Sequence, residues 1–467
     1  MPTVAASLAP RVWHAAEGKP RAAARHGPTR RESLAATALG SLWPFGSSGA
    51  ARAADTVALP RGPGGPTGEV LSTVAGIRQK RLGGGDVVVS ELGLGTQRWG
   101  GADKNSPDEA LCVRLLDRAT EAGVSLVDTA AQYPIPSDRS RPEGSTEAIL
   151  GRWMAQDAGR RAKVVIASKI TGGSNVTPDN IVADCEGSLR RLRTDRLDVY
   201  LLHWPARYTP QANWGQSLEY HVDAEKYYRN VTSFEAIALA MGSLVSAGKI
   251  RGWGICNDNA FGLTSSCYAA CLTPGAVAPI VMQNDYSLIN RRCDENGLAE
   301  ASSPLHLNAG FMAYNVLAGG VLTGKYLNVP AGVDDENEGR GARNMRAPRG
   351  RMDEPGWGRT LYRYRTASAE RATRAYAALA ASAGMSPTAL ALRWCRQRSL
   401  VTSSLVGFTS EAQLDEALRA FSEPRPLDAA LMWEIDRVHM RNRLPIFSSE
   451  RVGSDWDGAG EIGERIP

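Results

Sequence analysis

Leu126-Val-Asp-Thr-Ala-Ala-Gln-Tyr133 begins as an apolar strand that ends in an acidic residue, Asp128, and continues through a short loop to a tyrosine, Tyr133. A carboxylate buried in such a place without a cationic partner costs several kcal/mol. The stretch therefore predicts that a positively charged side chain from elsewhere in the chain lies beside Asp128.

Two later apolar stretches offer such partners. Val164-Val-Ile-Ala-Ser-Lys169 ends in a lysine, and Val199-Tyr-Leu-Leu-His203 ends in a histidine. Titratable residues at the C-terminal ends of successive strands mark the catalytic face of a parallel α/β barrel. We therefore expect Asp128, Tyr133, Lys169 and His203 to converge on one mouth.

Strand and helix patterns alternate along the rest of the chain. The apolar runs predicted as parallel strands are Glu91–Thr96, Val124–Asp128, Val164–Lys169, Val199–His203, Gly252–Cys256, Ile280–Gln283, Gly310–Tyr314 and Ser404–Gly407. Helical patterns lie between them, for example at Pro107–Gly123, Pro178–Leu192 and Thr232–Gly248, with each proline predicted in a first turn. This alternation predicts a single α/β domain, a (β/α)8 TIM barrel. A doubly wound open sheet is the alternative, but no GxGxxG turn follows any strand.

The order Asp128, Tyr133, Lys169, His203 resembles the catalytic tetrad of the aldo-keto reductase superfamily, and the resemblance runs from about Leu82 to about Leu444. The motifs at 283–291 (QNDYSLINR) and 317–326 (LAGGVLTGKY) resemble the long-loop, Tas-like branch of that superfamily. The resemblance implies hydride transfer between a nicotinamide and a carbonyl carbon, with a proton delivered to the carbonyl oxygen.

The four tetrad residues receive distinct predicted roles. Tyr133 is the general acid, and the ammonium of Lys169 is expected to lower the pKa of its phenol, because a neighbouring cation favours the phenolate. Asp128 holds Lys169 charged and oriented. His203 donates a hydrogen bond to the carbonyl oxygen of a small-molecule substrate.

Most of the cofactor-side assignments follow from the resemblance. They place the carboxamide at Cys256, Asn257 and Gln283, the nicotinamide face at Tyr314, the pyrophosphate at the small-residue loop and the adenosine end on the helix after the last strand. The residues implied are Cys256, Asn257, Gln283, Tyr314, Asn315, Leu317, Gly319, Lys325, Gly407, Thr409, Gln413 and Glu416.

This chain departs from the family at several cofactor positions. Cys256 replaces the usual serine, Asn315-Val316 replaces Ser-Pro, and Ala417 replaces an asparagine. NADPH is the expected cofactor, and NADH is left open because position 413 holds no arginine.

Composition excludes several other classes of protein. The chain has 467 residues, 43% of them hydrophobic and 22% charged, with a net charge of +5, which is typical of a globular protein and gives no basis for nucleic-acid binding. No apolar run reaches membrane-spanning length, so membrane insertion is not expected. The seven cysteines show no metal-ligand spacing, and Cys267 and Cys271 are predicted to be ordinary buried thiols.

Residues 1–70 are predicted to be a targeting peptide and linker, followed by the barrel at 71–450 and a C-terminal tail at 451–467. Up to Ala54 the chain holds seven Arg or Lys and only two acids, which is typical of an organelle transit peptide. The pair Arg30-Arg31 and the small-residue pattern at 51–54 resemble a twin-arginine second signal, so the expected destination is the chloroplast, in the stroma or the thylakoid lumen. Pro60–Gly68 is predicted to be a loose linker.

Three functions stay open on the sequence alone. They are an NADPH-dependent carbonyl reductase, a nucleotide-binding regulatory subunit with little turnover, and a dehydrogenase working in the oxidative direction on a sugar or alcohol. Two long connections, from Ala206 to about Val231 and from about Asn328 to Ala367, are expected to shape the substrate pocket. The natural substrate and the oligomeric state do not follow from the sequence.

Overall fold

Eight parallel strands close into a barrel in the computed structural model, which describes residues 64–101, 105–210, 220, 222, 231–327, 350–353 and 361–447. The strands in chain order are β1 Val70–Val74, β2 Ile77–Arg81, β3 Val88–Ser90, β4 Leu92–Gly95, β5 Leu126–Asp128, β6 Val165–Ile170, β7 Leu197–Leu202, β8 Ile250–Cys256, β9 Val281–Asp285, β10 Gly310–Tyr314 and β11 Ser403–Val406. Strands β4 to β11 form the barrel, which closes where β11 pairs with β4. The prediction of a (β/α)8 barrel is confirmed.

The predicted strands differ from the observed ones mainly at their ends. Strand β10 has its predicted bounds, whereas β6 continues one residue beyond Lys169 and β7 stops one residue before His203. The backbone N–H of His203 still donates to the carbonyl of Ile170, at 3.2 Å. The histidine is therefore anchored to the barrel rim although it lies in the loop.

Helices cover the outside of the barrel. In chain order they are α1 Glu109–Glu121, α2 Ser145–Ala155, α3 Pro178–Leu192, α4 Phe234–Ser246, α5 Ala260–Leu272, α6 Arg292–Glu295, α7 Leu298–Ser302, α8 Ala367–Ser382, α9 Pro387–Gln397, α10 Glu411–Ser422 and α11 Ala429–Arg441.

Pro107 and Pro178, both predicted in the first turn of a helix, occupy different positions relative to their helices. Pro178 is the first residue of α3, after the N-cap Thr177, as predicted. Pro107 is not in a first turn, because Asp108 is the N-cap of α1 and accepts a hydrogen bond from the Leu111 amide. That prediction is wrong because a capping aspartate follows the proline and sets the start of the helix.

A small antiparallel sheet of β1, β2 and β3 precedes the barrel and was not predicted. Strand β1 is exposed along its whole length, and β2 carries the polar sequence IRQKR, so neither shows an apolar alternation. The polar side chains of β2 instead reach the barrel base, where Gln79 Nε2 donates to the carbonyl of Gly123 at 2.8 Å and Lys80 Nζ to that of Val401 at 3.2 Å.

This small sheet closes the end of the barrel where the strands begin. Leu82, Val87 and Val89 pack in one apolar cluster with barrel-interior residues such as Leu126 and Val199. With that end filled, the opening of the barrel is at the C-terminal ends of the strands, where the candidate residues lie.

The second half of the predicted loose linker is fixed to the barrel. The Thr67 amide donates to Asn308 Oδ1 at 2.7 Å, and Asn308 Nδ2 donates to the carbonyl of Gly65 at 2.9 Å. The rest of the predicted linker and targeting peptide, residues 1–63, lies outside the described residues, as do most of the two long connections and residues 448–467.

Two features of the described residues concern membrane insertion and metal binding. No single helix there is long and apolar enough to cross a membrane, although α8 and α9, which bend by 93° at their junction, pass together on length and composition alone. The same residues contain no group of three or more His, Cys, Asp or Glu side chains that could hold a metal ion.

Candidate active site

A cleft of about 630 Å³ opens at the C-terminal ends of the barrel strands. All of the predicted site residues line it except Lys169, which is fully buried and contacts Tyr133 from inside the barrel. The convergence expected from the strand ends is therefore present in the structure.

Lys169 is the centre of the polar cluster at the base of this cleft. Its ammonium donates to Asp128 Oδ1 at 2.6 Å and to the carbonyl of Thr129 at 2.8 Å, and it lies 3.5 Å from the Tyr133 hydroxyl. Burial disfavours the charged amine, but the charge of Asp128 and the proximity of Tyr133 outweigh it, so the pKa of Lys169 is raised above its usual value. Lys169 therefore stays charged at every physiological pH.

The phenol of Tyr133 is more weakly acidic than the sequence suggested. Burial raises its pKa to about 12, although the Lys169 ammonium acts in the opposite direction. Lys169 lowers the pKa of Tyr133 as predicted, but the net shift is upward rather than downward because loss of solvation acts more strongly than the cation. Tyr133 is consequently a protonated hydrogen-bond donor at neutral pH.

His203 faces the same hydroxyl as a neutral imidazole. Its ring lies edge-on to that of Tyr133, with 5.7 Å between the ring centroids. Burial, reinforced by the charge of Lys169, lowers its pKa well below the usual value. Its Nδ1 is buried and has no hydrogen-bond partner among the described residues, so the ring retains hydrogen-bonding capacity.

Gln283 connects this cluster to Cys256. Gln283 Nε2 donates to Asp128 Oδ2 at 2.7 Å, and the Cys256 thiol donates to Gln283 Oε1 at 3.4 Å. Both carboxylate oxygens of Asp128 are thus occupied, one by Lys169 and one by Gln283. Gln283 and Cys256, two of the three residues predicted at the carboxamide, line the cleft while their polar atoms also support Asp128.

Asn257 is held in the left-handed region, with φ of 59°, directly after β8. Its side-chain Nδ2 donates to the carbonyl of His203 at 2.8 Å, and its Oδ1 accepts from the Tyr314 hydroxyl. Asn257 therefore fixes both the histidine and the aromatic ring on the floor of the cleft. Neither of these two contacts was predicted.

The small-residue turn after β10 forms the next part of the cleft wall. Gly319 and Gly320 adopt φ of 66° and 97°, which other residues rarely adopt, and a Cβ on Gly319 would lie 2.9 Å from Leu361 Cδ2. Leu317 precedes this turn and the exposed Lys325 follows it, while Asn315 Nδ2 lies 3.5 Å from the Tyr364 hydroxyl. The turn presents backbone and a cation to the cleft, as predicted for a phosphate contact.

The far end of the cleft is formed by the loop after β11 and the start of α10. Gln413 Oε1 accepts from both the amide of Thr409, at 2.9 Å, and its hydroxyl, at 3.2 Å. Glu416 Oε1 accepts from the Ser386 hydroxyl at 2.6 Å, and Gly407 lies exposed just before the helix. The positions predicted near the adenosine end are therefore neighbours in space.

Arginines in and around the long loop were missed by the sequence reasoning. Arg351 Nη2 donates to Gln97 Oε1 at 2.9 Å, which joins the loop after β10 to the loop after β4 across the cleft. Arg363 forms a buried ion pair with Asp285 at 2.6 Å. Burial, together with the nearby Arg98, lowers the pKa of Arg351 to about 10. The arginine-rich composition of this loop was the available signal, but composition does not show which arginine points inward.

The aldo/keto reductase family profile matches residues 91–439. Protein tas of Escherichia coli (strain K12) is 34% identical over 370 residues, covering 76% of this chain and 96% of that protein. An aldo-keto reductase of Babesia bovis is 33% identical over 298 residues, covering 61% and 99%. A protein of Oryza sativa subsp. japonica named "Probable voltage-gated potassium channel subunit beta" is 28% identical over 352 residues, covering 74% and 91%.

Proposed function

The chain belongs to the aldo/keto reductase family, and from this premise we propose that it is an NADPH-dependent oxidoreductase that reduces an aldehyde, ketone or sugar-like carbonyl to an alcohol. The observation that carries the proposal is the position of the Lys169 ammonium, 2.6 Å from Asp128 and 3.5 Å from the Tyr133 hydroxyl at the base of the cleft. A charged lysine beside a neutral phenol can stabilise the negative charge that develops as the phenol gives up its proton.

Several features of the cleft support binding of a nicotinamide dinucleotide. The turn at Gly319 and Gly320 leaves little room for side chains, and Lys325 and Arg351 supply positive charge along the cleft. Gln283 and Cys256 would hold the carboxamide, Tyr314 the nicotinamide face, and Thr409, Gln413 and Glu416 the adenosine end. When bound, the dinucleotide supplies the hydride that reduces the carbonyl carbon.

The chain's own residues supply the proton and the orientation. Tyr133 donates its phenolic proton to the carbonyl oxygen, and Lys169 stabilises the resulting phenolate. Neutral His203 hydrogen-bonds the same oxygen and fixes the carbonyl beside Tyr133. Asp128, held by Gln283 Nε2, keeps the ammonium aimed at the phenol.

The proposal is tested by following NADPH absorbance with an activated aromatic aldehyde and the full-length protein. We expect turnover with NADPH, and slower turnover or a higher KM with NADH. A folded protein that binds NADPH but consumes none with any of a panel of aldehydes, ketones and sugars would contradict the reductase proposal.

The two reaction directions should depend differently on pH. Reduction needs the neutral phenol, and with the pKa of Tyr133 raised to about 12, kcat for aldehyde reduction should stay level from neutral pH to about pH 9. Alcohol oxidation needs the phenolate, whose fraction rises about tenfold per pH unit below the pKa. We therefore expect oxidation to accelerate across this range, measured at saturating cofactor. A bell-shaped reduction profile centred near pH 7 would contradict the assignment.

A conservative change at Cys256 should strengthen cofactor binding. Replacing the thiol with a hydroxyl, Cys256→Ser, provides a stronger donor beside Gln283, and one such hydrogen bond contributes about 1 kcal/mol. We expect the Kd for NADPH to fall about fivefold by fluorescence titration. Cys293→Ser, at a buried thiol at the edge of the cleft, is the matched control. Equal changes in both variants would show that the effect is not local to the carboxamide position.

A nucleotide-binding regulatory subunit is the second candidate, favoured by the 28% identity to the rice protein named as a channel β subunit. It predicts tight NADPH binding, little turnover with any carbonyl, and a change in a partner's behaviour on nucleotide binding. Substantial kcat in the aldehyde assay would exclude it as the main function.

We also propose that residues 1–70 are a targeting peptide and linker, followed by the barrel from 71 to 450 and a C-terminal tail, and that the protein is sent to the chloroplast. The support is the composition up to Ala54 and the pair Arg30-Arg31. Mass spectrometry of the mature N-terminus in plant cells tests this. An end near Ala54 supports lumenal processing, whereas a mature chain that retains Arg30-Arg31 contradicts it.

A further inference from the structure

We propose that the outer surface of helices α4 and α5 is the contact surface through which two copies of this chain form a dimer. We call this surface the α4–α5 face and define it by the exposed side chains of Leu239, Phe261, Tyr268, Cys271 and Leu272. The inference concerns assembly and stands independently of the proposed reaction.

Helix α5 is unusual among the longer helices that the structure describes because it contains no charged residue. Its sequence is AFGLTSSCYAACL, and Phe261, Tyr268 and Leu272 are 63%, 62% and 64% exposed. These positions are seven and four residues apart, so they lie on one side of the helix. The side that faces solvent is therefore as apolar as the side that faces the barrel.

Helix α4 extends this apolar surface. Its one charged residue is Glu235 in the first turn, and Leu239 is 41% exposed. The backbone after α5 packs on α4, where the Val277 amide donates to the carbonyl of Ala238 and Leu239 approaches Gly275. Leu239 and the end of α5 thus belong to one continuous surface.

Helix α11 also exposes large apolar side chains, but it differs from α5 in having charged residues among them. Trp433 and Met440 are each 61% exposed, but charged residues are interspersed with them, including an ion pair between Glu434 and Arg437 at 2.9 Å. Single apolar side chains among charges are normal on a protein surface. A charge-free helix with three large exposed apolar side chains is not.

A second copy of the chain is the partner that fits this face best. The face carries no charge of its own at these positions, so a twofold-related copy can cover it without burying an unpaired ion, and twofold contacts are the commonest in protein assemblies. The four large side chains, with surfaces on the order of 200 Å² each, expose about 450 Å² per copy, and a pair with its surrounding atoms reaches about 1,000 Å². That reaches the lower limit of about 1,000 Å² expected of a specific interface.

The face is also joined to the active-site loops. The Arg207 guanidinium lies 5.4 Å from the Phe234 ring centroid and 5.3 Å from that of Phe261, and it forms two hydrogen bonds with Asp258, at 2.8 and 2.7 Å. Asp258 follows Asn257, which holds His203. Covering Phe261 in a dimer would therefore cover a side chain that contacts Arg207.

The test is the mass of the full-length protein by light scattering over a range of concentrations. We expect about twice the 50.0 kDa of one chain, and we expect Tyr268→Glu combined with Leu272→Glu to weaken the dimer at least tenfold, because the two added carboxylates of each copy would then face those of the other copy across the axis. Trp433→Glu is the control and should remain dimeric. Both altered side chains are exposed, and circular dichroism verifies that the variants fold.

Cysteine cross-linking gives an independent readout. All seven cysteines are in the described residues, and Cys271 is the exposed one, so a bifunctional maleimide should produce a covalent dimer that Cys271→Ser abolishes. A wild-type protein that is monomeric at high concentration overturns the proposal. So does a dimer whose stability the Tyr268 and Leu272 changes leave unaltered, or binding of the monomer to neutral lipid vesicles through this face.

Discussion

Replacing Tyr133 with phenylalanine should lower kcat for carbonyl reduction about a hundredfold or more while leaving NADPH binding almost unchanged. The phenol is the proton donor in the proposed reaction, and a positioned general acid contributes about 10²–10⁴ in rate. Phenylalanine retains the ring that packs edge-on against His203 and removes only the hydroxyl that lies 3.5 Å from Lys169. Steady-state kinetics and fluorescence titration of NADPH measure the two effects separately.

The matched control for this change is Tyr376→Phe. The Tyr376 hydroxyl is buried in helix α8 and donates to the carbonyl of Leu288 at 3.1 Å, outside the cleft. Its loss should affect stability and leave kcat within about a factor of two. If Tyr133→Phe keeps more than a tenth of the wild-type kcat, Tyr133 is not the acid, and His203 or a water molecule becomes the candidate donor.

The tetrad could be predicted because each member is tied to a strand end. Asp128 and Lys169 lie within barrel strands, and Tyr133 and His203 lie in the loops that follow, so finding the strands was enough to bring the residues together. Parallel strands in a closed barrel all end at one mouth, which makes order along the chain a sufficient guide to proximity.

The protonation state of the tetrad could not be predicted from the order of residues along the chain. The pKa of Tyr133 depends on the balance between loss of solvation and the charge of Lys169, and both depend on depth inside the cleft. The sequence shows that a lysine is nearby but not how deeply the phenol is buried. The lowering by Lys169 was therefore predicted, but the larger opposing effect of burial was not.

Contacts made by irregular segments could likewise not be predicted from the sequence. The β1–β3 sheet has no apolar alternation, and its role depends on polar side chains such as Gln79 that bond to distant backbone. Arg351 reaches Gln97 from a loop without periodicity. Cys271 was predicted to be buried, but the helix that carries it is apolar on all sides, so its pattern gives no inward direction.

The buried pair of Asp128 and Lys169 allows stability and catalysis to be separated. Lys169→Met removes the cation and leaves a carboxylate that is only 4% exposed, and breaking a buried ion pair in this way costs about 3–5 kcal/mol. We expect that loss in the free energy of unfolding, measured by urea denaturation, together with a fall in kcat of about a hundredfold or more.

The double variant Asp128→Asn, Lys169→Met should recover most of the stability and none of the activity. Asparagine removes the unpaired charge and can still accept the hydrogen bond from Gln283 Nε2, while methionine fills the volume of the lysine stem. Without the ammonium, the phenolate of Tyr133 lacks stabilisation, so kcat should remain as low as in Lys169→Met. A double variant as unstable as the single one would show that the uncompensated carboxylate is not the cause of the loss. Recovery of turnover would show that the ammonium is not required for proton transfer.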